Sequence, residues 1–254
     1  MKSIASNQIK SLLVRGLIPA LLAAAILACG VVSLARAEGK GSTGNPGVVP
    51  PQSKSHGKTY GEWAVEWWQW ALSIPADRNP LTDSTGEFAG EGQDGPVWFV
   101  PGTFAEDVER SYNVPAGKAL FIPVFNWIFG SGVFDCDPTV PGVPCVVCDL
   151  QVLAATNTET AQILEVTIDG VPVKDVAQYR ASSPGPFSIV YPENSVVGVP
   201  EGVYFPQVTD GYWLMLAPLS VGTHEIRLHV VAPNTIYGDY EFNVIHHITV
   251  TPGK

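Results

Sequence analysis

Four of the chain's seven tryptophans, Trp63, Trp67, Trp68 and Trp70, lie in the stretch Tyr60-Gly-Glu-Trp-Ala-Val-Glu-Trp-Trp-Gln-Trp-Ala-Leu-Ser-Ile-Pro75. At about 100° per residue, Trp63, Trp67, Trp70 and Ile74 share a narrow arc of one helical face, and Glu62, Glu66, Gln69 and Ser73 form a polar stripe beside it. The spacing predicts a helix. Thr59 and Glu62 stand at the interval of a capping box, and Pro75 removes a backbone donor and disfavours helix just before it, so both ends are marked. Ala64, Val65, Trp68, Ala71 and Leu72 cover most of the remaining circumference, with Trp68 directed away from the other three indoles. Each indole offers ~150–250 Å² for burial, so the helix is expected to anchor a core, with its Glu/Gln stripe facing water.

A second reading of the same segment is chemical. Glu62 and Glu66, one turn apart, are candidate catalytic carboxylates, and Trp68 and Gln69 are candidate ligand-binding residues, a wall and an amide for a sugar or another flat ligand. Against this, glutamates four apart on a helix are commonplace, and a glycosidase pair flanks its substrate from two sides rather than sharing one helix. No Gly-x-Ser-x-Gly elbow, no phosphate loop, no Gly-x-Gly-x-x-Gly after a strand and no His-Glu-x-x-His is present. The enzyme reading therefore rests on the glutamate pair alone.

Residues 1–37 read as a signal peptide. Lys2, Lys10 and Arg15 precede a nearly continuous apolar run from Leu17 to Leu34, and Ala35-Arg36-Ala37 supplies small residues for cleavage after Ala37. Two alternatives stay open: lipidation at Cys29, and retention of the apolar span as a membrane anchor. Cleavage would remove four basic residues and no acid, taking the formal charge from −10 to −14. That excess excludes nucleic acid and electrostatic membrane binding as expected partners, and permits cationic partners or calcium. Residues 38–55, rich in Gly, Pro and Ser, are expected to be a flexible tether, leaving 56–254 as a single globular domain.

Cys136, Cys145 and Cys148 remain after cleavage, among Pro138, Pro141, Gly142 and Pro144. In an exported chain one disulfide among the three is expected, Cys136 pairing with Cys145 or Cys148; a thiolate metal site would need a second close pair of ligands that the neighbourhood lacks. Between Ala76 and Gly95, Asp77 and Asp83 lead a run of acids among glycines, candidate oxygen ligands for calcium, although EF-hand spacing is missing. No other cofactor is expected. His224, His229, His246 and His247 lie on two consecutive C-terminal strands, and His229 and His247 are candidate metal ligands if those strands pair. Because adjacent strand residues point to opposite faces, His246 and His247 are not expected to share one site.

From Pro96 onward the pattern is strands. Val97–Val100, Arg110–Val114, Ala119–Trp127, Leu164–Ile168, Val171–Val173, Phe187–Val190, Gly211–Leu216, His224–Val230 and Glu241–Val250 are aromatic or β-branched runs punctuated by Gly, Pro and Asn. Gln151–Gln162 carries Ala and Leu at helical intervals. The expected fold is mainly β: an antiparallel β-sandwich, immunoglobulin-like or jelly-roll-like, with the N-terminal Trp-rich helix packed on it and one further short helix.

The Trp segment, together with Gly95-Pro-Val-Trp-Phe, Val114-Pro-Ala-Gly-Lys-Ala-Leu and Asp210-Gly-Tyr-Trp-Leu-Met-Leu, resembles an uncharacterised family of exported bacterial proteins. The likeness spans most of the chain after residue 37. It implies export to the periplasm or the outside of the cell and a shared fold, and transfers no activity, cofactor or site. Members carry cysteines near the positions of Ala89 and Tyr112, which this chain lacks. The functional expectation is a non-catalytic binding or envelope-associated module with a glycan or protein partner. The alternatives are a carbohydrate-active or other hydrolase using Glu62 and Glu66, and a calcium-stabilised adhesion module.

Overall fold

A computed structural model describes residues 45–104, 107–131 and 147–253. The signal segment and Cys29 lie outside these, as do Cys136 and Cys145; of Cys148 only the backbone is described, so the expected disulfide falls outside the described residues.

Among the described residues the chain is mainly β, with two five-stranded sheets and two α-helices. Helix α1 spans Tyr60–Ser73 and α2 Val147–Thr158; the strands are β1 (Val97–Phe99), β2 (Asp107–Pro115), β3 (Ala119–Gly130), β4 (Ile163–Ile168), β5 (Val171–Pro172), β6 (Arg180–Ser182), β7 (Phe187–Tyr191), β8 (Gly202–Leu216), β9 (Gly222–Thr235) and β10 (Gly238–Thr251). The first sheet runs β1-β3-β8-β6 with β7 also on β8, and the second runs β2-β10-β9-β4-β5. Most pairings are antiparallel as expected, but β1 pairs with β3 and β2 with β10 in parallel. Among the described residues, no helix is long and apolar enough to cross a membrane.

Helix α1 forms where the sequence marks it. Glu62 N–H donates to the Thr59 hydroxyl, the Glu62 carboxylate accepts from Thr59 N–H at 2.7 Å, and the helix gives way to extended backbone at Ile74. All four indoles are buried, and each N–H has an acceptor: Trp63 to Ser55 O, Trp67 to Val100 O, Trp68 to Thr209 Oγ1 and Trp70 to Glu91 O. Four buried donors without acceptors would cost about 1–3 kcal/mol each, so these bonds are what let the helix be so rich in indole. Trp68 does not stand apart from the others: its ring meets Trp67 edge to face at 4.9 Å, because both rings fold onto β8. A Cβ at Gly61 would collide with the carbonyl of Ser182, so only glycine lets the first helical turn lie on β6.

One extra residue in β3 turns the sheet's contacts over. Pro123 pairs with Trp213 and Phe125 with Tyr212, so Val124 is bulged. Before the bulge Phe121 stacks on Trp213 under α1; after it, Phe125 packs against Phe242 of β10 and Trp127 against Tyr240. The second half of the expected tether is not free. Val49 N–H donates to Met215 O, Ala217 N–H to Gly47 O, and the Tyr60 hydroxyl to Val49 O, which lays residues 47–49 along β8. Strand β8 is also longer than the expected Gly211–Leu216, starting at Gly202; Pro206 and Gly211 mask a strand whose residues from Gln207 on are buried. Helix α2 ends at Thr158 and is tied to β6 and β8 by Arg180, which donates to Glu159 Oε1, Ala155 O and Asp210 Oδ1.

Candidate functional site

The sequence candidates on α1 have structural partners. The Glu62 carboxylate is the reciprocal half of the cap, and its hydrogen bonds from Thr59 hold it below the usual carboxylate range. Glu66 forms an ion pair with Lys58. Gln69 donates to Ser188 O at 3.0 Å, and Trp68 is buried against Thr209. The two glutamates thus face solvent beside an aromatic core, with no indole left uncovered to form a wall.

In the acidic loop, Asp77 is exposed on a short 3-10 turn. Asp83 accepts from Thr85 N–H and Oγ1 and from Gly86 and Phe88 N–H at 2.7–3.0 Å. Partial burial alone would raise its pKa, but those donors outweigh it and hold the carboxyl below its ordinary value. Asp83 is the knot of a turn. Asn79, a neutral member of the same polar run, fastens the loop to the helix by donating to Ala71 O and Ile74 O while accepting from Leu81 N–H.

Strands β9 and β10 do form the hairpin the histidine reading required, in a register that keeps the imidazoles apart. His229 stands opposite Asn243, and His247 opposite Glu225. His229 lies between Glu165 (Nδ1, 3.2 Å) and Glu241 (Nε2, 3.5 Å); His247 lies between Glu109 (Nε2, 2.7 Å) and Glu225 (Nδ1, 3.7 Å). Each ring has its two carboxylates on opposite edges, so they cannot converge on one ion. Among the described residues no three His, Cys, Asp or Glu side chains are placed to hold a metal. The hydrogen bond to Glu165 raises the pKa of His229. His246 and His247 point to opposite faces of β10, and His246 is the inward, fully buried one.

A candidate ligand surface lies at the turn end of this hairpin. A depression of about 520 Å³ is lined by Asp107 of β2, Val231 and Pro233 of β9, and Asp239, Tyr240, Glu241 and Asn243 of β10. Asp107 Oδ1 accepts from Asn243 N–H and Nδ2, which hold its carboxyl below the usual range, and Asp239 Oδ1 accepts from Asn234 N–H. Both carboxylates keep acceptor capacity turned to solvent. Beside it Trp127, itself buried, stacks on Tyr237 at 5.7 Å and meets Tyr240 edge-on at 5.6 Å, while the two tyrosines remain 44% and 36% exposed.

This constellation supplies hydrogen-bond acceptors and aromatic faces on one surface. None of its residues was singled out from the sequence. A signal was available: Ile236-Tyr237-Gly238-Asp239-Tyr240 puts large apolar side chains at a hairpin tip, where small polar residues are the rule. An apolar groove of about 240 Å³ lies alongside, between Val152, Leu153 and Thr156 of α2 and Asn234 and Ile236 of the hairpin. Compared with known proteins, the chain matches no family profile, no curated protein and no solved structure.

Proposed function

We propose that the chain is an exported, non-catalytic binding module that recognises a polyhydroxylated, glycan-class ligand at the tyrosine-edged depression between β2 and the β9–β10 hairpin. The observation that carries this reading is the pairing of the exposed Tyr240 ring with the carboxylates and amide of Asp107, Asp239, Glu241 and Asn243 in one concave surface, with Tyr237 exposed beside it on the other side of Trp127. Rings of this kind offer flat apolar area at low entropic cost, and ionised carboxylates accept the hydrogen bonds that hydroxyl groups donate. The engagement of Glu62 by its cap and Glu66 by Lys58 supports a non-catalytic reading over a hydrolase. Export to the periplasm or beyond, and membership of the exported bacterial family, rest on the Lys2 to Ala37 pattern and the tryptophan motif. The two sheets are read as a sandwich; the parallel pairings of β1 with β3 and β2 with β10 stand outside the all-antiparallel immunoglobulin pattern, so the reading stops at that architecture.

The test is a glycan array probed with the chain lacking residues 1–37, beside Tyr240→Ala and Glu241→Gln variants. Binding lost in both variants with unfolding curves unchanged supports the site. An array silent for the parent protein, or binding untouched by both substitutions, overturns it.

A further inference from the structure

Arg110 is an unusual side chain to find inside a β-protein. It projects from β2 into the interior with Val108, Tyr112 and Val114, at 2% exposure, and among the described residues no carboxylate bonds to it. Its Nη1 donates to Pro80 O at 2.9 Å and Gly102 O at 3.1 Å, whereas Nε and Nη2 have no partner. Those two unpartnered donors form a single edge of the guanidinium, the fork that grips both oxygens of a carboxylate. At the same register position on the neighbouring strand stands His246, fully buried, its Nδ1 3.2 Å from the Tyr112 hydroxyl and its Nε2 unpartnered. With the Tyr112 hydroxyl donating to Nδ1, the ring proton sits on Nε2. Three buried donors then gather at one rung of the sheet and no acceptor answers them. Asp83, the acid whose charge bears on Arg110, has its oxygens occupied by Thr85, Gly86 and Phe88.

We infer that the rung Arg110–His246 is a buried binding site for a small carboxylate-class oxyanion, clamped by the Nε–H and Nη2–H fork of Arg110 with His246 Nε2–H as the third donor. A water molecule would satisfy hydrogen bonds but leave the guanidinium charge uncompensated in a low-dielectric interior; an anion does both. Burial first, and the charge of Arg110 next, hold His246 below the ordinary histidine value. Both carbonyls that hold Nη1 belong to loops, and β2 is an edge strand, so the fork lies at the margin of the sheet rather than at its centre. The site lies on the inner face of β2 and β10, separate from the tyrosine-edged depression, and stands whether or not that surface binds a glycan.

The experiment uses sodium formate as the probe on the whole chain lacking residues 1–37, with sodium chloride at equal ionic strength as the control. Formate is expected to raise the melting temperature by roughly 5 °C or more at saturation relative to chloride, and to move the ring nitrogen resonances of His246. Arg110→Lys keeps the charge and removes the fork, and is expected to weaken the formate response at least about tenfold. Equal melting in formate and chloride with unmoved His246 resonances overturns the inference, as does an equal formate response in the parent and Arg110→Lys. Should Arg110→Lys fail to fold, the His246 titration in the parent protein decides by itself.

Discussion

Under α1, Trp67 meets Trp68, Trp70 and Trp213 edge to face, and no ring of the four is more than 7% exposed. At the hairpin end, Trp127 lies between Tyr237 and Tyr240, which keep 44% and 36% of their surface in solvent. The first cluster is sequence-dense and dry; the second is assembled from β3 and the β9–β10 hairpin, more than a hundred residues apart, and is wet on one side. Aromatic density along a chain therefore locates the core here, and aromatic exposure across the fold locates the candidate binding surface.

The sharpest way to break that distinction is truncation on both sides of it. Trp67→Ala removes a ring at 2% exposure and orphans the Val100 carbonyl, and is expected to cost about 3–5 kcal/mol in urea unfolding. Tyr240→Ala at the hairpin is expected to change stability by less than about 0.5 kcal/mol. Similar losses in the two variants would show that both clusters are core, and the binding reading would lose its aromatic face.

A second contrast sets His246 against its sequence neighbour's face of the sheet. Burial, reinforced by Arg110 and then His247, pushes the pKa of His246 down to about 3, so the folded protein binds its proton less readily than the unfolded chain. Stability from this group is complete above the ordinary value near pH 6.5 and is lost as pH falls from there toward 3, at roughly 1.4 kcal/mol per pH unit. His246→Phe should flatten the pH dependence of unfolding across that window. An unaltered slope would mean that His246 is not held neutral by its surroundings. The N-terminal cap of α1 is worth less: Thr59→Ala is expected to cost about 1 kcal/mol, since the Glu62 carboxylate loses the hydroxyl donor and keeps only the backbone N–H of residue 59, and the Glu62 N–H loses its hydroxyl acceptor.

How much of this was legible in the sequence depends on whether the signal was local. Helix α1, with its cap and its stop, is written in consecutive residues, and so is the alternation of β9, where Ile226, Leu228 and Val230 turn inward and Arg227 outward. Three things were not local. The extension of β8 back to Gly202 depends on neighbours β7 and β3 that override Pro206 and Gly211. The fastening of residues 47–49 to β8 belongs to a segment whose composition reads as tether. The candidate site is the hardest case, because Asp107 and Asn243 become neighbours only through the parallel pairing of β2 with β10, which no periodicity announces. Arg110 fits the same lesson: strand alternation places it on the inner face, but only the fold shows that its fork is left open.

The smallest expected effect concerns the outer face of the second sheet, where charge rather than packing sets the behaviour. His229 bonds Glu165 through Nδ1 and lies 3.5 Å from Glu241 through Nε2, and the first of these contacts contributes most to its raised pKa. The sign is opposite to that of His246: the stabilisation is present below the ordinary histidine pKa and is lost as pH rises through the raised one. Replacing Glu165 with Gln keeps the side chain's shape and removes one charge while leaving Glu241 in place. The His229 titration midpoint, followed by its ring proton resonances, should fall toward the ordinary value without reaching it, and unfolding should shift by less than about 0.5 kcal/mol because the pair is solvent-screened. A midpoint that does not move would mean that Glu165 and His229 are not coupled in solution, and that this face carries independent charges. A midpoint that falls while Tyr240→Ala leaves it fixed would separate the charged face from the tyrosine-edged depression. If Tyr240→Ala also moves it, Glu241 has been displaced from His229, and the two features act as one surface.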